Sequence, residues 1–380
     1  MKTVYFDYNA TTPLDEQVRQ AMLPFLNEIW GNPSSVHRVG RRARAALDEA
    51  RERVARVLGG KPGEVVFTSG GTESANLAIL GTARVLKPKG KHLVTSTVEH
   101  HAVLHAFDYL EKKEGFEVTR LPVNREGTVG VESLERALRP DTTLVSIMAA
   151  NNEIGTIQPV AELGAVCRAR GVRFHTDAVQ WFGKKPFRDI HQFNADLVSV
   201  CAHKLHGPKG AGALFVKSPL HPDSVLLGGA HENERRAGTE NLAGIIGLAE
   251  ALERFVQPPV FERERLLALT ERLARSVEKI AGAQIVGARV QRLANTLAFV
   301  VEGSDSIALL AALDMEGICA SSGSACSAGS LEPSHVIQAL GLQAPLSNAL
   351  VRFSLGREST EEEVAYVEQV LPELIRRVRK

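Results

Sequence analysis

Short, continuous apolar runs alternate with helical patterns along most of the chain, and this alternation limits the fold more than any other feature. Residues 36–58 carry apolar side chains at helical spacing, and the apolar run 65–67 follows. The alternation continues with predicted strands at 93–95, 144–148, 172–176, 197–200 and 213–216, and predicted helices at 72–85, from 101 onward and at 160–170. Strands that are apolar throughout are typical of a sheet covered on both faces. The sequence therefore predicts an α/β fold with a mainly parallel central sheet and helices on both faces.

The pattern changes character near residue 257. A charged amphipathic helix pattern covers 261–280, strand-like stretches follow at 284–286 and 296–301, and a last helix pattern covers 360–378. A chain of 380 residues is long enough for two domains. We predict a large domain at 15–257 and a smaller α+β domain formed by 1–14 and 258–380, which carries a loop at about 321–335.

The composition narrows the class of partner and the compartment. Lys and Arg total 45 and Asp and Glu total 44, so the formal net charge is +1, which argues against nucleic acid as a main ligand. No apolar run approaches the ~18–20 residues of a membrane span, and the N-terminus has no signal pattern. The four cysteines form no CxxC pair, which is typical of a reducing compartment. We expect a cytoplasmic protein with no membrane and no direct nucleic-acid partner.

Three chemically active residues follow predicted strands, where ligands bind in such sheets. Lys204 comes after the strand 197–200, and a partly desolvated lysine loses its proton easily and can form a Schiff base with an aldehyde. Asp177 comes after the strand 172–176 and could pair with the pyridinium nitrogen of pyridoxal phosphate (PLP), which needs an acid there. His100 could stack on a flat ring and move protons.

The glycine-rich segment 69–72 lies between a predicted strand and a predicted helix. Its backbone could approach an anion closely, and the helix N-terminus would supply free N–H groups. An ordinary turn with Thr72 as the helix cap remains an alternative.

Cys326 is the strongest candidate for a reactive thiol among the four cysteines. It lies in the Ser/Gly/Ala-rich segment 321–330, where little bulk is available to bury it. Cys167 and Cys319 lie in apolar patterns, which favour burial.

Taken together, these motifs resemble the cysteine desulfurases, a branch of the fold-type-I PLP transferases. The resemblance runs from the segment 7–13 to the segment 352–357 and keeps one order of motifs: Gly71-Thr72-Glu73-Ser74, Glu99-His100, Asn151-Asn152-Glu153-Ile154-Gly155, Asp177-Ala178-Val179-Gln180, His203-Lys204, Arg235-Arg236-Ala237-Gly238-Thr239 and Ser322-Gly323-Ser324-Ala325-Cys326. The last motif is similar to that of the nitrogen-fixation and iron–sulfur-assembly enzymes.

The resemblance implies a PLP site built from ten positions: Gly71, Thr72, His100, Asn151, Asp177, Gln180, Cys201, His203, Lys204 and Thr239. In that site Lys204 would bind PLP covalently, Asp177 would face the pyridinium nitrogen and Gln180 the ring hydroxyl. Thr72 and His203 would hold the phosphate, and Thr239 would reach across from the other subunit of a homodimer.

The resemblance also implies the reaction. Asn151 and Arg352 would bind the carboxylate of L-cysteine, for which a planar guanidinium is well suited. Lys204 and His100 would move protons, L-alanine would be released, and Cys326 would receive the sulfur as a persulfide. The persulfide would pass to an iron–sulfur scaffold protein or another sulfur acceptor, and Cys326 could act as a transient iron–sulfur ligand.

Two positions depart from the family pattern, and several alternatives stay open. Cys201 stands where the family usually has Ser, and the segment 228–232 reads Gly-Gly-Ala-His-Glu where Gly-Gly-Gly-Gln-Glu is common. A thiol is a weaker phosphate donor than a hydroxyl. The alternatives are a selenocysteine lyase or kynureninase-like enzyme, a non-catalytic assembly partner, and a metal-binding protein that uses His100, His101 and His105.

Overall fold

Twelve strands and thirteen α-helices form most of the regular structure of the residues that a computed structural model describes, which are 3–323, 333–343 and 346–379. The strands are β1 (Val4–Tyr5), β2 (Val65–Thr68), β3 (His92–Ser96), β4 (Glu117–Leu121), β5 (Thr142–Ser146), β6 (Arg173–Asp177), β7 (Leu197–Cys201), β8 (Gly212–Val216), β9 (Ala283–Ile285), β10 (Thr296–Val301), β11 (Ile318–Cys319) and β12 (Leu350–Ser354). The helices are α1 (Glu16–Met22), α2 (Pro24–Asn27), α3 (Arg38–Leu58), α4 (Gly71–Asn76), α5 (Thr82–Leu86), α6 (His101–Glu114), α7 (Val131–Ala137), α8 (Val160–Ala169), α9 (Leu242–Phe255), α10 (Arg263–Glu278), α11 (Ser306–Met315), α12 (His335–Ala339) and α13 (Glu361–Val378).

A seven-stranded sheet with the order β2-β8-β7-β6-β5-β3-β4 forms the centre of the molecule. The five strands from β7 to β4 are parallel, and β8 runs antiparallel to both of its neighbours. Every residue of β3, β5, β7 and β8 is buried, whereas β4, at the edge, is partly exposed. The predicted α/β fold with a mainly parallel sheet is confirmed, and β8 is the one strand of this sheet that breaks the parallel pattern.

Helices cover both faces of this sheet, because successive side chains of a strand point to opposite faces. In β2, Val65 and Phe67 join a core with α3, α8 and α9, while Val66 joins a second core with α6 and the helical run 71–86. The predicted helix at 72–85 is found as α4 and α5 joined by a π-helical turn at Leu77–Gly81. The continuous apolar runs in the sequence are therefore explained by burial on both faces.

A separate core is built from the two ends of the chain. Its buried residues come from the first segment, including Val4 and Phe6, and then from Phe261 onward, whereas the core around α3 ends at Val256. Strands β12, β10 and β9 form one sheet in this region, and β1 pairs with β11. These separate cores support the proposed boundary near residue 257, which stays a proposal.

The longest helices carry many charged residues on their outer faces. Among the described residues, no helix is both long enough and apolar enough to cross a membrane.

Candidate active site

A cavity of about 200 Å³ lies at the carboxyl ends of the parallel strands, beside the ends of β6 and β7. Nine residues singled out from the sequence line it: Gly71, Thr72, His100, Asp177, Gln180, Cys201, His203, Lys204 and Arg352. Six others complete the wall: Asn9, Ala10, Met148, Ala150, Asn152 and Val179. The structure therefore brings together residues that are up to 343 positions apart in the sequence (352 − 9).

The amine of Lys204 is held at the cavity wall by backbone carbonyls. Its Nζ donates to the carbonyl oxygens of Asn9 at 2.7 Å and Ala10 at 2.6 Å. Burial lowers the pKa of Lys204, and the nearby Arg352 cation lowers it further, while nearby acidic groups oppose this shift. A lysine whose pKa is lowered by burial has more of the neutral, nucleophilic amine at a given pH.

Asp177 presents a buried carboxylate at the end of β6. One of its oxygens, Oδ1, accepts a hydrogen bond from the backbone N–H of Val179 at 3.0 Å. Burial raises the pKa of Asp177 to about 6, against the opposing effects of that hydrogen bond and of Lys204. A cationic ring nitrogen beside this carboxylate would favour the ionised form.

His100 caps the N-terminus of α6, which fixes its ring at the cavity. Its Nδ1 accepts from the backbone N–H of Ala102 at 3.1 Å. Burial lowers the pKa of His100 to about 4, and Lys204 adds to the effect. The ring is therefore neutral near pH 7, which suits a flat group that stacks on another ring and exchanges protons.

The end of the cavity assigned to the phosphate contains His203, Cys201 and the start of α4. His203 Nδ1 lies 3.1 Å from Thr11 Oγ1, and burial lowers the pKa of His203 to about 4. Burial raises the pKa of Cys201 to about 11, so its thiol stays protonated at neutral pH. A side chain at Gly71 would come within 2.8 Å of Val179 Cγ2, so the close approach of this turn to the cavity requires glycine.

Arg352 reaches the cavity from β12 as a fully buried cation. Its Nη2 donates to Asp7 Oδ1 at 2.5 Å, and its Nη1 donates to the carbonyl oxygens of Asn152 and Gly323, both at 2.8 Å. Among the residues that the structure describes, its Nε is buried and has no hydrogen-bond partner. A buried donor without a partner is costly, so Arg352 is suited to bind a further acceptor such as a carboxylate.

Two predicted site residues among those that the structure describes do not line the cavity. Asn151 is fully buried, and its side chain serves the local turn: Nδ2 donates to Val98 O, and Oδ1 accepts from the backbone of Glu153 and Ile154. Thr239 is exposed on this single chain. Cys326 lies outside the described residues. Their proposed roles stay predictions.

Sequence reasoning assigned no role to several residues that the structure places in or behind the cavity wall. Asn9 lies in the cavity wall and belongs to the segment 7–13, which carries part of the family resemblance. Nothing in the sequence indicates the contacts that Asn9 makes. Glu99, next to His100, is fully buried, accepts hydrogen bonds from Ser96 Oγ and the Met148 backbone, and has its pKa raised by burial to about 8. Its position next to His100, a predicted catalytic residue, is the feature of the sequence that could have indicated a role for Glu99.

The residues around the cavity fit PLP. Lys204 supplies an amine for the aldehyde and Asp177 a buried acid for the ring nitrogen. Arg352 lines the same cavity, where its guanidinium could bind a substrate carboxylate. The metal-binding alternative gains no support: within 3–323, 333–343 and 346–379, no three or more His, Cys, Asp or Glu side chains are grouped to hold a metal ion.

Known proteins match the chain over nearly its whole length. The class-V aminotransferase family model matches residues 4–367. The cysteine desulfurase IscS of Dictyoglomus turgidum is 48% identical over 381 residues, which cover 100% of this chain and 96% of that protein. The solved structure of a NifS-like protein matches with a TM-score of 0.92 and 36% identity, covering 99% of this chain and 100% of that one. A structure described as SspA in complex with cysteine matches with a TM-score of 0.81 and 35% identity. The match covers 94% of this chain and 100% of that one.

These matches confirm the resemblance that the order of motifs indicated. They cover both the strand ends that build the cavity and the C-terminal strand that carries Arg352. The chain belongs to the class-V aminotransferase family and, within it, to the cysteine desulfurases.

Proposed function

We propose that this protein takes sulfur from L-cysteine, releases L-alanine and holds the sulfur as a persulfide on Cys326. It is a PLP-dependent enzyme, as its family membership shows. The observation that best supports the residue assignments is that Lys204, Asp177 and Arg352 all line one cavity. When bound, PLP withdraws electrons from the substrate Cα and thereby weakens the C–S bond.

The residues of the chain then have separate tasks. Asp177 holds the ring nitrogen of the cofactor in its cationic form. Arg352 orients the substrate by binding its carboxylate. The amine of Lys204, whose pKa is lowered by burial, removes the proton from the substrate Cα, and His100, which is neutral near pH 7, exchanges a second proton.

Cys326 completes the transfer in a step that balances without an external oxidant. Its thiolate attacks the substrate sulfur, an S–S bond forms, and the C–S bond breaks with its electron pair moving to the substrate Cβ. The carbon is reduced and protonated to the methyl group of alanine, while the sulfur is oxidised to the persulfide level.

We further propose a cytoplasmic homodimer that passes the persulfide to an iron–sulfur scaffold protein or another sulfur acceptor. Thr239 is exposed and absent from the cavity of its own chain, which fits a role in a neighbouring subunit. The three described cysteines are all free thiols, which fits a reducing compartment.

Replacement of Lys204 tests the activity and the cofactor together. Purified wild-type protein with L-cysteine and a reductant is expected to form equal amounts of alanine and sulfide and to show a visible cofactor absorbance band. Lys204→Ala should lose the band and at least ~100-fold of the rate, because both the attachment point and the base are removed. Lys209→Ala changes an exposed lysine nearby and is the matched control. Absence of alanine from wild-type protein would refute the activity, and faster turnover of selenocysteine would favour the lyase alternative.

Replacement of Cys326 separates sulfur transfer from cofactor binding. With sulfur-labelled cysteine, wild-type protein should carry one label per chain and pass it to an added scaffold protein. Cys326→Ser should keep the absorbance band but lose both the label and the transfer, because a hydroxyl cannot form a persulfide. Cys319→Ser, which changes a partly buried thiol outside the cavity, should behave as wild type. Full labelling of Cys326→Ser would assign the sulfur to another residue.

Cys201→Ser is expected to tighten PLP binding. A hydroxyl donates a stronger hydrogen bond to phosphate than a thiol does, and one such bond is worth about 1 kcal/mol, or roughly fivefold in affinity. Titration of the apoprotein with PLP measures the change, with Cys319→Ser as the control. Unchanged or weaker binding would mean that Cys201 does not contact the phosphate.

Heterodimers test the role of Thr239 across the interface. Lys204→Ala and Thr239→Ala chains, co-expressed with different tags, should give a dimer in which one of two sites is intact, because each site would take Lys204 from one chain and Thr239 from the other. Half of the sites should then bind PLP with wild-type affinity. Weak binding at every site would show that Thr239 serves its own chain, and a monomer in sedimentation analysis would refute the dimer.

A further inference from the structure

Lys184 is a buried lysine without a carboxylate partner among the described residues. Its side chain is only 3% exposed, and no ion pair involves it there. Burying an ammonium group without a counterion is unfavourable, and burial indeed lowers the pKa of Lys184 well below its usual range, as do the cations of Lys204 and Arg352.

The amine of Lys184 donates to two amide oxygens. Its Nζ lies 2.7 Å from Asn9 Oδ1 and also donates directly to Gln180 Oε1. The same nitrogen lies 5.2 Å from the centre of the Phe261 ring. Gln180 precedes Lys184 by four residues, and both Gln180 and Asn9 line the cavity, whereas Lys184 lies behind them.

A side-chain amide has an oxygen end and a nitrogen end of nearly equal size, so its orientation is decided by its partners. Because Lys184 Nζ donates a hydrogen bond to Gln180, the end of the Gln180 amide that faces Lys184 is its oxygen, Oε1. Its Nε2 then faces the opposite way and donates to the carbonyl oxygen of Asn9 at 3.0 Å. That carbonyl also accepts from Lys204 Nζ at 2.7 Å.

We propose that Lys184 is a positioning residue that fixes the amide of Gln180 with its N–H donors toward the cofactor. One hydrogen of Nε2 goes to Asn9, and the other is free for the ring hydroxyl of PLP. This inference rests on the proposed function, in which Gln180 faces that hydroxyl. A flipped amide would offer its carbonyl oxygen instead, which would repel the ionised ring oxygen.

The orientation of Gln180 has a spectroscopic consequence. A donor to the ring oxygen stabilises its ionised form, which shares a proton with the linkage to Lys204. Loss of that donor makes the proton harder to remove, so the pH at which the visible absorbance of the bound cofactor changes should rise. The loss of one hydrogen bond corresponds to about one pH unit.

The first test is the pH titration of that absorbance in Lys184→Met, which keeps a long side chain but has no donor. We expect the transition to rise by about one pH unit. Lys185→Met changes the next residue, a partly exposed lysine that contacts Trp181, and should leave the transition in place. The melting temperature of each apoprotein shows whether the fold is retained. If Lys184→Met does not fold, Lys184→Gln replaces it, since an amide there no longer fixes the orientation of Gln180.

The second test separates positioning of Gln180 from any direct electrostatic effect of the Lys184 amine on the cofactor. In a Gln180→Ala background there is no amide to orient, so adding Lys184→Met should move the transition little. An equal shift with and without Gln180 would overturn the proposal, as would an unshifted Lys184→Met with a normal cofactor band. A wild-type protein without any cofactor band would instead overturn the proposed function and this inference with it.

Discussion

The carbonyl oxygen of Asn9 is the point on which the geometry of the site depends. It accepts from Lys204 Nζ, which follows β7 of the large sheet, and from Gln180 Nε2 at 3.0 Å. The rest of Asn9 is fixed to the smaller sheet: its side chain donates to Thr296 Oγ1 on β10 at 2.9 Å, and its backbone N–H donates to Ser354 Oγ on β12 at 3.0 Å. The position of the reactive amine therefore depends on the packing of both sheets against the N-terminal segment.

Burial controls the charge of this cavity. It is the largest influence on the pKa values of Lys204, His100 and His203, which it lowers, and of Asp177, which it raises. Each shift favours the uncharged form of the group, because the surroundings replace little of the hydration that the group loses. In the proposed assignment, a cationic ring nitrogen would pair with Asp177 and an anionic phosphate would lie beside His203, so binding of the cofactor would favour the charged forms of both groups.

The sequence predicted best what depends on local pattern. The strand 197–200 is β7 and the strand 172–176 is β6, each within one residue, because runs buried on both faces carry a clear apolar signal. Asp177 and Lys204 could be placed near one another because the carboxyl ends of parallel strands share one edge of the sheet. The antiparallel direction of β8 could not be predicted, because the apolar pattern of a buried strand does not depend on the direction in which the strand runs.

Contacts between distant segments of the chain could not be predicted from the sequence. Nothing local shows that Lys184 turns inward to bind Asn9, 175 positions away (184 − 9), because a lysine in a turn is normally solvated. Asn151 shows the opposite case: its motif was recognised, yet the amide is used to close its own turn. The roles of the cofactor-binding residues came from the resemblance, and the structure adds the hydrogen bonds that orient them.

The guanidinium of Arg352 joins three parts of the chain at the cavity. Its planar group of donors binds Asp7, in the N-terminal segment, and the carbonyl oxygens of Asn152 and Gly323. Because these donors have fixed relative directions, one side chain sets the positions of the three acceptors relative to one another. A lysine, with its single flexible charge, could not hold the three groups in this arrangement.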